Sequence, residues 1–247
     1  MADIAAHLSW NCDTHTSTLM YAQRFAGPVG QMLLDRQNQL LMKFLGNIQN
    51  KSILEIGAGH GQIAPVILQK TNQYIAYGSS QNSFENLKKI QAKNNLTIQY
   101  ATGTLYPLPY PDCSFDSVIS IRSMSHVPDW QTFLKELMRV SRSQVIFDFS
   151  PATATWLKKI MLLLKNKSEI ATRDFTTQNT TQIQTFLNNT SFTLKHCEGQ
   201  FMIPLVVHRA VKSKILLPLE YVFKYLQLTK FFGGPVLASI EREHGKS

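Results

Sequence analysis

The chain has 247 residues, of which 44% are hydrophobic, and its 25 Lys+Arg against 16 Asp+Glu give a formal net charge of +9. That length and apolar content suit one α/β domain with helical additions. Three cysteines far apart in sequence, Cys12, Cys113 and Cys197, with no C-x-x-C pair, argue against a disulfide framework, a redox motif or a zinc site.

No apolar stretch approaches the length of a membrane span. The N-terminus has no basic segment followed by an apolar run, so a cytoplasmic chain without a signal peptide is expected. The charge is uneven. Residues 1–150 carry 12 Lys+Arg and 10 Asp+Glu, whereas residues 151–247 carry 13 and 6. A basic excess in the last third is either a plain solvated surface or a face for nucleic acid, anionic lipid or an acidic substrate.

In chain order, Leu33, Leu34, Leu40, Leu41, Phe44 and Leu45 have helical spacing, and Gly27-Pro28 breaks that pattern near its start. Residues 1–45 read as a helical N-terminal cap. Strands follow at about 52–56, 74–77, 97–101, 115–121 and 144–149. Helices are expected between them at about 61–70, 81–93 and 130–140, the last with Asp129 as N-cap. This alternation predicts a doubly wound, mostly parallel sheet with helical caps at both ends and the site along the strand C-terminal edge. Residues 46–150 form the cofactor-binding core of that expectation, and residues 151–247 complete the sheet and cover the substrate. In this last part a helix is expected near 182–188. A hairpin of two strands, 192–198 and 201–207, follows, and then a helical tail over 211–243 interrupted by Gly233-Gly234-Pro235.

The densest signal is Ser52-Ile53-Leu54-Glu55-Ile56-Gly57-Ala58-Gly59-His60-Gly61-Gln62. It is an apolar strand with an acidic residue near its end, then glycine at every second position, then a helical pattern. Glycines there let the backbone turn tightly and approach a ligand. The spacing is G-x-G-x-G, not the G-x-G-x-x-G of dinucleotide enzymes.

Two further segments stand in register with it. Leu108-Pro109-Tyr110-Pro111-Asp112-Cys113-Ser114-Phe115-Asp116 is similar to an L-P-F-P-D-x-S-F-D segment, and Ser125-His126-Val127-Pro128-Asp129 to an H-H-L-P-D turn. Together the three resemble class I S-adenosylmethionine-dependent methyltransferases of the small-molecule, quinone-biosynthesis-like branch, over roughly residues 20–150. Gly57–Gln62, Gly78-Ser79-Ser80 and Phe232-Gly233-Gly234-Pro235-Val236 also resemble an uncharacterised bacterial subgroup of that family. The resemblance implies a seven-stranded class I methyltransferase sheet. It implies S-adenosyl-L-methionine as cofactor, S-adenosyl-L-homocysteine as product, and a small, apolar or aromatic methyl acceptor.

By this resemblance Glu55 organises the loop, and Gly57, Ala58, Gly59, Gly61 and Gln62 pack against the methionine moiety and ribose. Gly78, Ser79 and Ser80 stand at the ribose, where the family usually has a carboxylate. Gly103, Thr104 and Leu105 stand at the adenine, where it usually has Asp. Neutral hydroxyls make weaker bonds than carboxylates, so recognition is expected to shift to Ser79 and Thr104. Ser120 and Arg122 end the fourth strand and line the site. Tyr21 and Arg24 resemble an N-terminal element that closes over the cofactor, with Arg24 able to meet the methionine carboxylate; the alternative is a solvated helix face.

His126 is either a general base for the acceptor or a histidine that packs the loop. A non-catalytic binding protein is the second reading of the missing carboxylates. An NADP-dependent oxidoreductase is the third, opposed by the glycine spacing and by the lack of a nearby Arg after Gly78. No Asn/Asp-Pro-Pro-Tyr/Phe motif points to nucleic acid. Trp156–Lys165 and Lys214–Lys230 mix apolar and basic character and suit either a membrane-surface helix or a lid. No histidine spacing suggests a metal.

Overall fold

The computed structural model describes residues 25, 27–58, 61–79, 81–127, 129–151, 176–203, 207–208 and 213–243. The elements are α1 (Gly27–Leu45), β1 (Ile53–Ile56), α2 (Ala64–Leu68), β2 (Tyr74–Gly78), α3 (Gln81–Asn94), β3 (Gln99–Thr102) and β4 (Phe115–Ser120). They continue with α4 (Trp130–Val140), β5 (Ser141–Phe149), α5 (Thr180–Leu187), β6 (Phe192–Gly199), α6 (Ser213–Tyr225), α7 (Leu228–Phe232) and β7 (Val236–Arg242).

The strands form a seven-stranded sheet in the order β3-β2-β1-β4-β5-β7-β6. The pairs among β1 to β5 are parallel, and β7 runs antiparallel to both β5 and β6. This is the doubly wound, mostly parallel sheet that the strand–helix alternation predicts. Sequence order reverses between β1 and β4, which is where open α/β sheets place their ligands.

Side chains alternate across each central strand, so both faces must be covered. On one face Leu54, Ile56, Val118, Val145 and Phe147 pack with Phe133, Leu134 and Leu137 of α4 and with Ile183 and Leu187 of α5. On the other, Ile53, Ala76, Ile119 and Ile146 pack with Leu40, Leu41 and Phe44 of α1, Ile67 of α2 and Leu87 of α3. Each fully buried Leu, Ile or Phe contributes about 1.5–3 kcal/mol.

Polar staples set the register. Asp116 accepts from the Ser52 amide and hydroxyl, both at 2.8 Å, and from Arg142 Nη1 at 2.6 Å. These bonds hold its carboxyl below the usual range despite burial. Gln144 in β5 donates to the Phe44 carbonyl at 2.8 Å, which ties α1 to the sheet. The Leu-Pro-Tyr-Pro-Asp segment is held the same way. Glu136 accepts from the Leu108 amide at 2.6 Å, and Arg139 donates to the Tyr110 carbonyl at 2.9 Å and to Asp112 at 2.7 Å.

Several expectations need correction. The helix after β1 is Ala64–Leu68, not 61–70. Gly61 has φ +56°, outside helical space, so the loop extends further before the helix starts. Asp129 does cap α4, accepting from the Gln131 and Thr132 amides, and α5 opens with an Asn179–Gln182 capping box.

Among the described residues the expected hairpin of 192–198 with 201–207 is not seen: 201–203 are not a strand and 207–208 are helical. The partner of β6 is β7. The Met202 and Ile203 amides donate to the buried carboxylate of Glu220 rather than to a strand ladder. The tail is therefore not helical throughout: Gly233–Pro235 ends α7, and 236–242 is a strand. His208, the residue just after the second strand of that expected hairpin, is buried 3.4 Å from Glu220. Arg209 and residues 156–165 lie outside the described residues.

Candidate active site

Chain geometry at the end of β1 explains two of the alternating glycines. Gly57 has φ +78°, and a Cβ there would stand 2.4 Å from Ser123 Oγ. A Cβ on Gly61 would stand 2.5 Å from Leu87 Cδ2 and 2.8 Å from Ile90 Cδ1. The Gly57 and Ala58 amides both donate to the Tyr77 carbonyl, at 2.9 and 3.1 Å, so the loop folds onto the end of β2. The helix that follows has five residues. Of the other expected site residues, Tyr21, Arg24, Gly59 and Ser80 lie outside the described residues.

The second and third strands end beside this loop. The Gly103 amide donates to the Gly78 carbonyl at 3.1 Å, which brings Gly78-Ser79 next to Gly103-Thr104. Tyr77 Oη donates to the Thr104 carbonyl at 2.9 Å. Burial raises that phenol to about 12, with Tyr110 adding to the shift, so it stays a donor. Thr104 is exposed and its hydroxyl donates to the Pro107 carbonyl at 2.9 Å. The Leu105 side chain is buried in the core, leaving its backbone as the part that can meet a ligand.

Two candidates sit behind the edge. Glu55 is buried and accepts from Tyr74 Oη. Burial first, and Glu55 second, push that phenol far above its ordinary value. Ser120 is fully buried, and its hydroxyl donates to the Ile56 carbonyl at 3.2 Å. It staples the end of β4 to the end of β1.

Arg122 is the hub. It has φ +64°, a left-handed conformation that costs a non-glycine residue about 1 kcal/mol or more. Its amide donates to Asp148 Oδ1 at 2.6 Å. Its guanidinium donates to Gln62 Oε1 at 2.5 Å and to Gln37 Oε1 at 2.7 Å. It also stacks on the Phe25 ring at 4.1 Å. Contacts from four segments thus hold one strained arginine in place.

Beside it lies a cavity of about 280 Å³ lined by Phe25, Leu33, Gln37, Arg122, Ser125, His126, Asp148, Phe149, Ser150, Gln200, Phe201 and Pro235. His126 belongs to a short 3₁₀ turn, Met124–His126, and reaches this cavity. Ser125 Oγ bridges to Ser150 Oγ at 3.1 Å and so links the turn to the end of β5.

Sequence reading missed Asp148, Gln37 and Gln200. Asp148 is 4% exposed. Burial raises its carboxyl to about 6, against the opposing pull of Arg122 and Gln200. An acidic residue closing the apolar run Val145-Ile146-Phe147 was the signal that could have found it. Gln37 and Gln200 had none, because distant segments bring them to the site.

Residues 54–148 match the methyltransferase domain family. A fatty-acid O-methyltransferase of Mycolicibacterium smegmatis is 28% identical over 107 residues, 43% of this chain and 39% of that protein. A ubiquinone biosynthesis O-methyltransferase of Bartonella tribocorum is 25% identical over 107 residues, 43% of each chain. The aligned region thus spans about two fifths of these curated relatives. Magnesium protoporphyrin IX methyltransferase from Synechocystis, solved with bound S-adenosylhomocysteine, superposes with TM-score 0.61 at 15% identity, covering 98% of this chain and 100% of that one. That likeness is one of fold. Residues 54–148 thus carry a match to a methyltransferase domain, and the sheet around them has the fold of solved methyltransferases.

Proposed function

We propose that the chain binds S-adenosylmethionine along the C-terminal edge of β1, β2 and β4 and transfers its methyl group to a small apolar or aromatic acceptor. The observation that carries this reading is the cavity beside Arg122. Arg122, His126 and Asp148 line it together with Leu33, Phe149, Phe201 and Pro235. Small-ligand sites combine apolar walls with a few placed polar groups in this way.

The residues present fit the cofactor. The positive-φ turn at Gly57 lets the loop lie against Ser123 without a Cβ of its own. Arg122 offers a cation to the methionine carboxylate, since its guanidinium bonds are to the neutral amides of Gln62 and Gln37. Ser79 and Thr104 offer hydroxyls to ribose and adenine in place of the usual carboxylates. Glu55 and Ser120 hold the strand ends from behind. The cofactor supplies an activated methyl on its sulfonium.

The protein's share is alignment and exclusion of water. His126, when neutral, can accept a proton from an acceptor hydroxyl, or it can simply wall the cavity. Asp148 fixes Arg122 through its amide. The segments before Leu45 and after Pro151 act as caps over the acceptor, with Tyr21 and Arg24 closing on the cofactor. The names of the fatty-acid and ubiquinone relatives support an apolar acceptor.

Calorimetric titration with S-adenosylhomocysteine, followed by transfer of labelled methyl to fatty acids and phenols, tests the reading. Saturable binding with label transfer is expected. No binding at millimolar ligand overturns it. Gly78 and Thr104, standing where carboxylates are usual, favour a second reading, a binding protein without turnover; saturable binding with no transfer to any acceptor would select it.

A further inference from the structure

The described residues expose large apolar side chains in one place. Leu219, Tyr221, Val222, Tyr225 and Leu226 belong to α6 and the turn after it, and Phe231 and Phe232 to α7. Tyr225 is 87% exposed, Phe231 71% and Phe232 70%. On α6 these positions recur at three- and four-residue spacing, so they share one flank, while Glu220 points inward and is 5% exposed. A group of exposed aromatic and aliphatic side chains marks an interaction surface rather than scattered surface residues.

The segment that carries this flank is basic in sequence. Between Gly199 and Ile240 the only acidic residue is Glu220, against Arg209, Lys212, Lys214, Lys224 and Lys230. Glu220 is turned into the protein, where it accepts from the Met202 and Ile203 amides and faces His208. Lys224 and Lys230 are exposed beside the apolar group, and Lys230 Nζ stands 5.5 Å over the Phe231 ring. Aromatic and aliphatic side chains beside Lys224 and Lys230 match the interfacial layer of an anionic bilayer, with apolar groups entering the acyl boundary and lysines meeting phosphates. Asp35 of α1 borders the small cavity next to Tyr221 and Lys224 and is an exposed acidic group on this side. Among the described residues no helix is long and apolar enough to cross a membrane, so the match is to the surface.

We propose that α6 and α7 dock the protein on anionic lipid surfaces. The flank is continuous with the interior. Tyr221, Glu220, Lys224 and Thr229 border a small cavity with Leu33, Gln200 and Phe201, and these last three also line the cavity beside Arg122. A bilayer-dissolved molecule entering at the docked face would therefore lie next to the candidate active site. Docking itself needs neither cofactor nor turnover, so it stands or falls separately from methyl transfer.

Flotation with phosphatidylcholine vesicles, with and without phosphatidylglycerol, tests this on the full chain without cofactor. The protein is expected to float with the anionic vesicles and to be released by salt. Phe231→Ser with Phe232→Ser should weaken partitioning at least about tenfold. Lys224→Glu with Lys230→Glu should weaken it at least about fivefold. Hydrogen exchange of the vesicle-bound wild type should show protection at residues 219–232, a readout independent of how the variants fold. Three results overturn the proposal. These are no flotation, flotation unchanged in both variants with no protection at 219–232, and a concentration-dependent dimer lost in the variants without vesicle binding, which would assign the face to a second copy.

Discussion

The two ends of the sheet solve different problems. From β3 to β5 every strand is parallel and ends at one edge, where backbone groups and buried polar side chains bond to one another. Tyr77, Ser120, Arg122 and Asp148 all have partners there. Beyond β5 the strands turn antiparallel, and the helices leading into β7 leave Tyr225, Phe231 and Phe232 in solvent. The first region is set up to hold a polar ligand in a fixed place. The second offers apolar area to something outside the chain. On the proposed reading, cofactor chemistry belongs to the parallel end, and the acceptor's access to the antiparallel end.

Substitutions at the parallel end should therefore remove binding and stability together, and the largest effect is expected at Gly57. Gly57→Val places a branched side chain at φ +78° and against Ser123. It should cost about 2–4 kcal/mol in denaturant unfolding and abolish S-adenosylhomocysteine binding by calorimetry. Combining it with Ser123→Ala should recover only part of the stability, because the backbone strain remains.

Arg122 separates the two effects. Arg122→Gly suits φ +64° and should keep the unfolding midpoint close to wild type. It should weaken S-adenosylhomocysteine roughly ten- to hundredfold by loss of charge-assisted bonds. Unchanged affinity would remove Arg122 from the site.

Asp148 gives a pH signature. Its carboxyl is raised from 3.8 to about 6, so the folded state holds the proton more tightly than the unfolded state does. The stability linked to this group is fully present below about pH 4 and is lost as pH rises through about 6. Lowering pH from 7 to 5 should thus add roughly 1 kcal/mol to unfolding stability, and Asp148→Asn should flatten that rise. Asp116 and Asp129 are held below the usual range, so their losses fall at lower pH and leave this window clear. A wild-type slope of the opposite sign would contradict the assignment.

The smallest effect is expected at the adenine end. Thr104→Asp supplies a charged acceptor at an exposed position and should leave S-adenosylhomocysteine affinity unchanged or tighten it by up to about tenfold. A large loss would place the adenine elsewhere.

Much of the parallel end was legible in the sequence because its signals are local. Glycine spacing, the Asp129 cap and apolar runs bounded by turn residues each report on a few neighbouring residues, and the chain folds accordingly. The antiparallel end was legible only in part: α5 and β6 fall close to where they were expected, but the strand pairing does not. Phe201–Val207 reads as a strand, yet Glu220 takes the Met202 and Ile203 amides from many residues away, and β6 finds its partner in β7 instead. The site divides on the same principle. Gly57, Gly61 and Arg122 carry local marks. Gln37 and Gln200 are ordinary glutamines until α1 and the segment after β6 bring them to the cavity.

The central claim is that the cofactor lies on the C-terminal edge of β1, β2 and β4 with a cap closing over it. Hydrogen exchange with and without saturating S-adenosylhomocysteine tests it most directly. Slowed exchange is expected at Gly57–Gln62, at Gly78-Ser79, at Gly103–Leu105 and around Arg122, together with Tyr21–Phe25 if that segment is the lid. Protection confined to the glycine loop would remove the lid and with it the role of Arg24. Protection absent from this edge at saturating ligand would contradict the site itself.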